Sequence, residues 1–213
     1  DYLERFIHIG TSEMYGSVDK PADEETPIKP SSPYAASKVA FDMYLVSVFR
    51  FLKFPMNVIR PSNAYCPGQL LHRVIPKAVV LGLKGEKVPL HGGGKAEKSY
   101  IHARDLGRAI QLVAEQAPLG TIYNAGPADP TSIRRVVELT AHALGIPFEQ
   151  LCEVTGDRLG QDSRYWMDSS RIKNDVGWEP RICWEEGLSE MVNWGRKYFD
   201  QLRDWPTDYT MRA

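Results

Sequence analysis

Apolar and polar positions follow two regimes along the 213 residues. Short, nearly continuous apolar runs occur at Phe6–Ile9, Met56–Arg60 and Thr121–Ala125, each bounded by glycine, proline or a polar residue. Runs this short and this apolar suit strands buried on both faces of a parallel sheet better than helical turns. Between them, apolar residues recur at helical spacing. Val39, Met43, Val46 and Phe49 make one such stripe, in a helix expected from about Pro33 to about Lys53 with Ser32 as its N-cap and Pro33 as its first residue. Further helices are expected over 70–84, over 106–116 behind an Asp105 cap, from a Thr131 or Ser132 cap to Gly145, and over 184–200. A short helix is expected to start at Asp168 and to end at Val176–Pro180, with Trp178 in the core. Lys87–Gly94 reads as a strand and turn. The polar segment from Gly16 to Pro30, with Pro21, Pro27 and Pro30, is a surface loop, and the tail beyond Asp204 is expected to be loosely held.

Composition narrows the function classes. A hydrophobic content of 43% is ample for a core, and a net charge of −1 with dispersed basic residues leaves no footprint for nucleic acid. No apolar run reaches bilayer length and the charged start is not a signal peptide, so a cytoplasmic protein with no membrane partner is expected. Cys66, Cys152 and Cys183 are odd in number and widely spaced, and the histidines are scattered; neither a disulfide framework nor a metal site is expected.

Candidate chemistry begins at the first strand's exit, where Gly10 is followed by Thr11, Ser12 and Glu13. In an open α/β sheet, ligands sit at the carboxyl ends of the strands, although these three residues alone also make an ordinary polar loop. Tyr34 and Lys38 lie one turn apart at the start of the capped helix, and no other tyrosine of the chain has a lysine four residues on. A neighbouring ammonium favours phenolate over phenol, which is what a general base needs. Asn63, at the exit of Met56–Arg60, can donate and accept hydrogen bonds to a ligand or serve as a turn residue.

Thr11-Ser12-Glu13, then Tyr34-Ala-Ala-Ser-Lys38, then Arg60-Pro-Ser-Asn-Ala-Tyr65, resembles the extended short-chain dehydrogenase/reductase family, and within it the NAD-dependent nucleotide-sugar 4,6-dehydratases that act on dTDP-glucose or GDP-mannose. The resemblance continues through Tyr123-Asn124, Asp157-Arg-Leu-Gly160 and Val176-Gly-Trp-Glu-Pro180. It implies a Rossmann-type doubly wound parallel sheet with a smaller mixed α/β substrate domain. Residues 1–64 and 103–126 would belong to the NAD-binding domain, and 65–102 and 127–213 to the nucleotide-sugar-binding domain. It further implies NAD as cofactor, contacted by Tyr34, Lys38 and Ala64, and a homodimer formed through the helix that follows Tyr34.

The implied reaction oxidises the sugar's fourth carbon, eliminates water across the fifth and sixth, and returns the hydride to the sixth. Tyr34 would be the base at the fourth hydroxyl, with Lys38 holding it as phenolate. Glu13 would take the fifth-carbon proton, Thr11 would bond the substrate hydroxyl, and Ser12 would relay a proton to the leaving group. Asn63, Arg73, Val74, Pro89, His91, Lys98, Asn124, Asp157 and Arg158 would line the nucleotide-sugar site. One position distinguishes within the family, and two depart from its pattern. Ser12 matches the GDP-mannose enzymes rather than the Asp of the dTDP-glucose ones. Cys66 replaces a glycine. Lys98 replaces an arginine, keeping the charge and losing the bidentate fork.

The family's N-terminal glycine fingerprint, which receives the pyrophosphate, is absent, so the N-terminal strands are expected in about 120 further residues upstream. Alone, the 213 residues are expected to leave a sheet edge uncovered, bind NAD negligibly and be inactive. Rival readings are a 4-epimerase, which needs no second base, a decarboxylase, which also carries Thr-Ser-Glu, and a catalytically incomplete nucleotide-sugar-binding fragment.

Overall fold

The computed structural model describes residues 3–156 and 163–208. In chain order the elements are β1 (Phe6–Ile9), α1 (Pro33–Leu52), β2 (Met56–Pro61), β3 (Asn63–Tyr65), α2 (Val74–Lys84), β4 (Val88–His91), β5 (Glu97–Lys98), β6 (Tyr100–His102), α3 (Ala103–Gln116) and β7 (Ile122–Ala125). They continue with β8 (Thr131–Ser132), α4 (Ile133–Leu144), α5 (Phe148–Leu151), β9 (Cys152–Thr155), β10 (Arg164–Tyr165), α6 (Ser170–Val176), α7 (Trp184–Lys197) and α8 (Phe199–Leu202). The chain divides into two compact units, one of Asp1–Ala64, Glu97–Pro130 and Asp162–Arg181, the other of Tyr65–Ala96, Thr131–Gln161 and Ile182–Ala213.

The first unit is built on a parallel sheet in the order β1-β2-β7, with Phe6 opposite Met56 and Val58 opposite Ile122. Successive side chains of a strand point to opposite faces, and here both faces are apolar. Met56, Val58, Phe6 and Ile122 pack with Leu45, Val46 and Phe49 of α1. Ile59, Tyr123 and Ala125 pack on the other side with Ala109 and Val113 of α3 and Ile172 and Val176 of α6. Helices on both faces of a parallel sheet are the α/β architecture expected from the sequence. Trp178 completes the second cluster, fully buried and donating its indole N–H to the carbonyl of Asp105 at 2.9 Å.

Helix ends follow their capping chemistry with one correction. Ser32 accepts from the Ala35 amide at 3.1 Å to open α1, and Ser132 accepts from the Arg135 amide at 3.1 Å to open α4. The helix expected behind Asp105 instead starts at Ala103, capped by His102, whose Nδ1 accepts from the Arg104 amide at 3.3 Å. Asp105 lies inside the first turn, buried, pairing with Arg108 at 2.8 Å and accepting from the Arg181 amide at 2.9 Å. Residues 97–102, 127–130 and 163–181 lie in the first unit rather than with the remainder of 65–102 and 127–213; for 163–181 this is because α6 and Trp178 pack on β7 and α3.

In the second unit β4 pairs in parallel with β9, a strand that the sequence pattern does not announce, and α2 packs against α4 and α7. Its core is Ile75, Val79 and Val80 of α2, Val136, Val137 and Ala141 of α4, and Leu188, Met191 and Val192 of α7. Helix α2 starts at Val74 rather than at residue 70, and the helix expected over 184–200 stops at Lys197.

Candidate active site

The site is organised by the exit of β1. Gly10 donates to the Ile59 carbonyl at 2.7 Å, keeping the chain on the sheet for one residue past the strand. Thr11 then turns it: its Oγ1 accepts from the Glu13 amide at 3.3 Å and opens a single 3-10 turn over Ser12–Tyr15. Gly16 closes that turn at φ 67°, and a Cβ there would stand 2.5 Å from the Lys29 carbonyl oxygen, so only glycine fits. Thr11 and Ser12 are buried, while Glu13 is half-buried.

Helix α1 delivers the second set of groups. Tyr34, its second residue, is 54% exposed, and Lys38, half-buried one turn later, donates from Nζ to the Ile9 carbonyl at 2.6 Å. The structure therefore brings Lys38 to the strand end that is followed by Thr11, Ser12 and Glu13. At the exit of the neighbouring β2, Asn63 is half-buried and donates its backbone amide to the Ser99 carbonyl at 3.1 Å. Ala64 is half-buried against the core beneath. Lys98 holds its ammonium 4.7 Å from the centroid of the Tyr165 ring, within cation–π range.

Asn124 does not face a ligand. It is fully buried at the end of β7, where its Oδ1 accepts from the Tyr15 hydroxyl at 2.8 Å and its Nδ2 donates to the carbonyls of Ala22 at 2.9 Å and Asp168 at 3.3 Å. Both amide donors are spent inside the protein, which corrects its assignment to the nucleotide-sugar site. In the second unit, Arg73 is exposed at the N-cap of α2 and Val74 begins that helix. Pro89 and His91 share the exposed face of β4, with His91 Nδ1 2.9 Å from Thr155 Oγ1. Asp157 and Arg158 lie outside the described residues.

The sequence reading passed over a buried polar chain behind this surface. The Asp42 carboxylate, fully buried, accepts from Arg60 Nε at 3.0 Å, and Arg60, 1% exposed, donates from a terminal nitrogen to the Tyr15 hydroxyl at 2.8 Å. His8 Nε2 stands 3.3 Å from the other oxygen of Asp42, a contact without hydrogen-bond alignment. Burial and the nearby Lys38 ammonium hold the His8 pKa below its ordinary 6.5, against the pull of Asp42. The neutral ring is the form that fits, because the Asp42 charge is already met by Arg60. Burial likewise raises the Tyr15 pKa, with Arg60 opposing, and raises that of Glu24, which accepts from the Asn124 amide at 2.7 Å and faces Arg171 at 3.3 Å. A signal for this chain was present. Asp42 follows Lys38 by four residues, so Tyr34, Lys38 and Asp42 fall on one helix face, and Arg60 is a cation at the end of an apolar run.

No group of three His, Cys, Asp or Glu placed to hold a metal occurs among the described residues, and no described helix is long and apolar enough to cross a membrane.

Comparison with known proteins then places the chain. The profile of the GDP-mannose 4,6 dehydratase family matches residues 2–191. Mouse dTDP-D-glucose 4,6-dehydratase is 35% identical over 211 residues, covering 95% of the chain and 58% of the mouse protein. Among solved structures, a double mutant of dTDP-glucose 4,6-dehydratase from Streptomyces venezuelae, crystallised with NAD, superposes with a TM-score of 0.86 at 31% identity, covering 92% of this chain and 61% of that one. UDP-glucose 4-epimerase from Thermotoga maritima, crystallised with UDP-glucose, gives the same TM-score at 27% identity and covers 92% and 64%. The chain thus spans less than two thirds of the length of each of these proteins.

Proposed function

The chain belongs to the GDP-mannose 4,6 dehydratase family, and from that premise we propose that it carries the acid–base machinery of an NAD-dependent nucleotide-sugar 4,6-dehydratase. The observation that carries this reading is the placement of Glu13 on the turn that follows β1, the strand whose last carbonyl Lys38 grips. An oxidation or epimerisation at the fourth carbon needs one base. A carboxylate beside that base is what removal of the fifth-carbon proton adds, once oxidation of the neighbouring carbon has made that proton acidic.

The residues fit a dinucleotide's nicotinamide end, since an ammonium is tethered to the carboxyl end of a parallel strand and an exposed tyrosine lies one turn earlier on the same helix. NAD, when bound, supplies the hydride acceptor and donor. Tyr34 takes the proton of the fourth hydroxyl, with Lys38 one turn along the same helix. Glu13 takes the fifth-carbon proton. Ser12 relays a proton to the departing sixth hydroxyl, and Thr11 orients the sugar.

We assign cofactor contacts to Tyr34, Lys38 and Ala64 and nucleotide-sugar contacts to Asn63 and Lys98, all of the first unit; in the second unit, taken by itself, Arg73, Val74, Pro89, His91, Asp157 and Arg158 are kept as nucleotide-sugar candidates. Dimerisation through α1 is supported by its open apolar face, where Phe41, Tyr44, Phe51 and Leu52 are exposed, Phe51 to 84%.

The test uses the full-length protein with NAD and a panel of dTDP-, UDP- and GDP-hexoses in heavy water. A dehydratase forms a 4-keto-6-deoxy sugar carrying deuterium at the fifth carbon, and Glu13→Gln should abolish that deuterium while oxidation at the fourth carbon persists. A 4-epimerase is the second reading, favoured by the equal structural similarity of the Thermotoga enzyme. It would invert the fourth carbon without exchange at the fifth.

A further inference from the structure

Two struts run from one face of α1 to the segment that bears Glu13. The first is direct, from Lys38 Nζ to the Ile9 carbonyl at 2.6 Å. The second passes through β2. Asp42, one helical turn beyond Lys38, holds Arg60 Nε at 3.0 Å, and Arg60 reaches the Tyr15 hydroxyl at 2.8 Å. Tyr15 is the last residue of the 3-10 turn whose second residue is Glu13, and its hydroxyl donates in turn to Asn124 Oδ1 at 2.8 Å. The members Asp42, Arg60, Tyr15 and Asn124 are all 2% exposed or less, so water does not compete for their bonds. Between the struts the backbone is pressed against them: a Cβ on Gly10 would come within 3.2 Å of Arg60 Cγ and of an Asp42 carboxylate oxygen.

We propose that Asp42, Arg60 and Tyr15 form a positioning strut that sets the turn bearing Glu13 against the helix bearing Tyr34 and Lys38, with Tyr15 as the positioning residue for Glu13. This deepens, and rests on, the dehydratase reading above. The reaction asks two bases to reach adjacent carbons of one sugar, so the distance between their carriers matters. Tyr34 is on α1 itself and needs no such link. Glu13 is half-buried, and the turn beneath it is secured at its start by Thr11 Oγ1 and at its end by Tyr15. Loss of the Tyr15 hydroxyl should therefore slow the step that uses Glu13 and spare the one that uses Tyr34, a selectivity that loss of folded protein cannot produce.

Tyr15→Phe in the full-length protein tests this in two ways. Amide hydrogen exchange needs no activity: the amides of residues 12–16 should exchange at least about ten-fold faster, while those of β2 keep their protection. With a nucleotide sugar and NAD, solvent deuterium entry at the fifth carbon should fall about ten-fold or more, as displacement of a reacting group by a fraction of an ångström can do, while oxidation at the fourth carbon changes less than about two-fold. Equal loss in both steps, or unchanged exchange at residues 12–16, overturns the proposal. If the wild-type protein exchanges no fifth-carbon proton at all, the dehydratase reading falls, and the amide measurement still decides the strut. Should Tyr15→Phe fail to fold, Asp42→Asn, which keeps the side-chain shape and weakens the grip on Arg60, must show the same selective loss, and a parallel loss in both steps overturns the strut.

Discussion

Replacing Arg60 by methionine should be among the most destabilising single changes in the first unit. The substitution keeps much of the volume and removes the charge. Asp42 is left with its carboxylate fully buried, facing His8 Nε2 at 3.3 Å across a poorly aligned contact, while the Tyr15 hydroxyl loses one of its two partners. Breaking a buried ion pair from one side costs about 3–5 kcal/mol, because the surviving charge has neither water nor a counterion. Against a total stability of about 5–15 kcal/mol for a domain, that leaves the variant close to unfolding. Removing both charges should be milder. In Asp42→Leu/Arg60→Met no buried charge remains, and Tyr15 still donates to Asn124, so the double variant should recover most of the loss. Urea unfolding followed by tryptophan fluorescence, to which the buried Trp178 contributes, reads the difference. With a slope of about 1–3 kcal/mol per molar urea, the single variant should lower the midpoint by about 1 M or more. A double variant as unstable as the sum of the two singles would refute the reasoning, since it would mean that each residue stabilises the fold independently of the other.

Other consequences follow from the same geometry. Tyr34→Phe in the full-length protein should lower turnover on the order of 100-fold to 10,000-fold with the unfolding midpoint unchanged, because Tyr34 is largely exposed; near wild-type turnover would remove Tyr34 as the base. The His8 pKa is depressed in the fold, so its contribution to stability is present above pH 6.5 and is lost as the pH falls from there through the folded value. His8→Gln should flatten that limb of the stability profile, and an equally steep limb in the variant would show that other groups cause it. If α1 forms the proposed dimer, Tyr44→Lys combined with Phe51→Glu on its open face should shift sedimentation from dimer to monomer; a wild-type monomer or an unchanged dimer in the variant would refute that interface.

Much of this fold can be read locally because the signals are local. Ser32-Pro33 and the apolar run up to Lys53 mark both ends of α1, and the three apolar runs became the three strands of the parallel sheet. What could not be read is what depends on a distant partner. Strand β9 is only four residues long, Cys152-Glu-Val-Thr155, too short to stand out by its pattern, and is a strand because β4 lies beside it. His102 caps α3 in place of Asp105, since Asp105 is claimed by Arg108 and by the Arg181 amide far along the chain. Asn124 shows the same limit at the site. A polar residue at a strand's end points to a ligand only while nothing else covers it, and here the Tyr15 hydroxyl and the carbonyls of Ala22 and Asp168 do.

Helix α1 shows why a pattern can give the right element and only part of its inward face. Of the stripe Val39, Met43, Val46 and Phe49, three residues pack inward, yet the buried positions are Ala35, Asp42 and Leu45, and Met43 is exposed. The helix is apolar over most of its circumference, so no single stripe stands out, and the choice of inward face falls to tertiary contacts. Asp42 makes that choice. Its carboxylate is buried only in the rotation that brings it to Arg60, and the same rotation places Lys38 against the Ile9 carbonyl and turns Phe41, Tyr44 and Phe51 outward. A helix that is apolar all round is ordinarily covered all round. The face left open on α1 is therefore the side on which a partner surface is expected, and the polar residue that a hydropathy reading passes over sets both the site and that face.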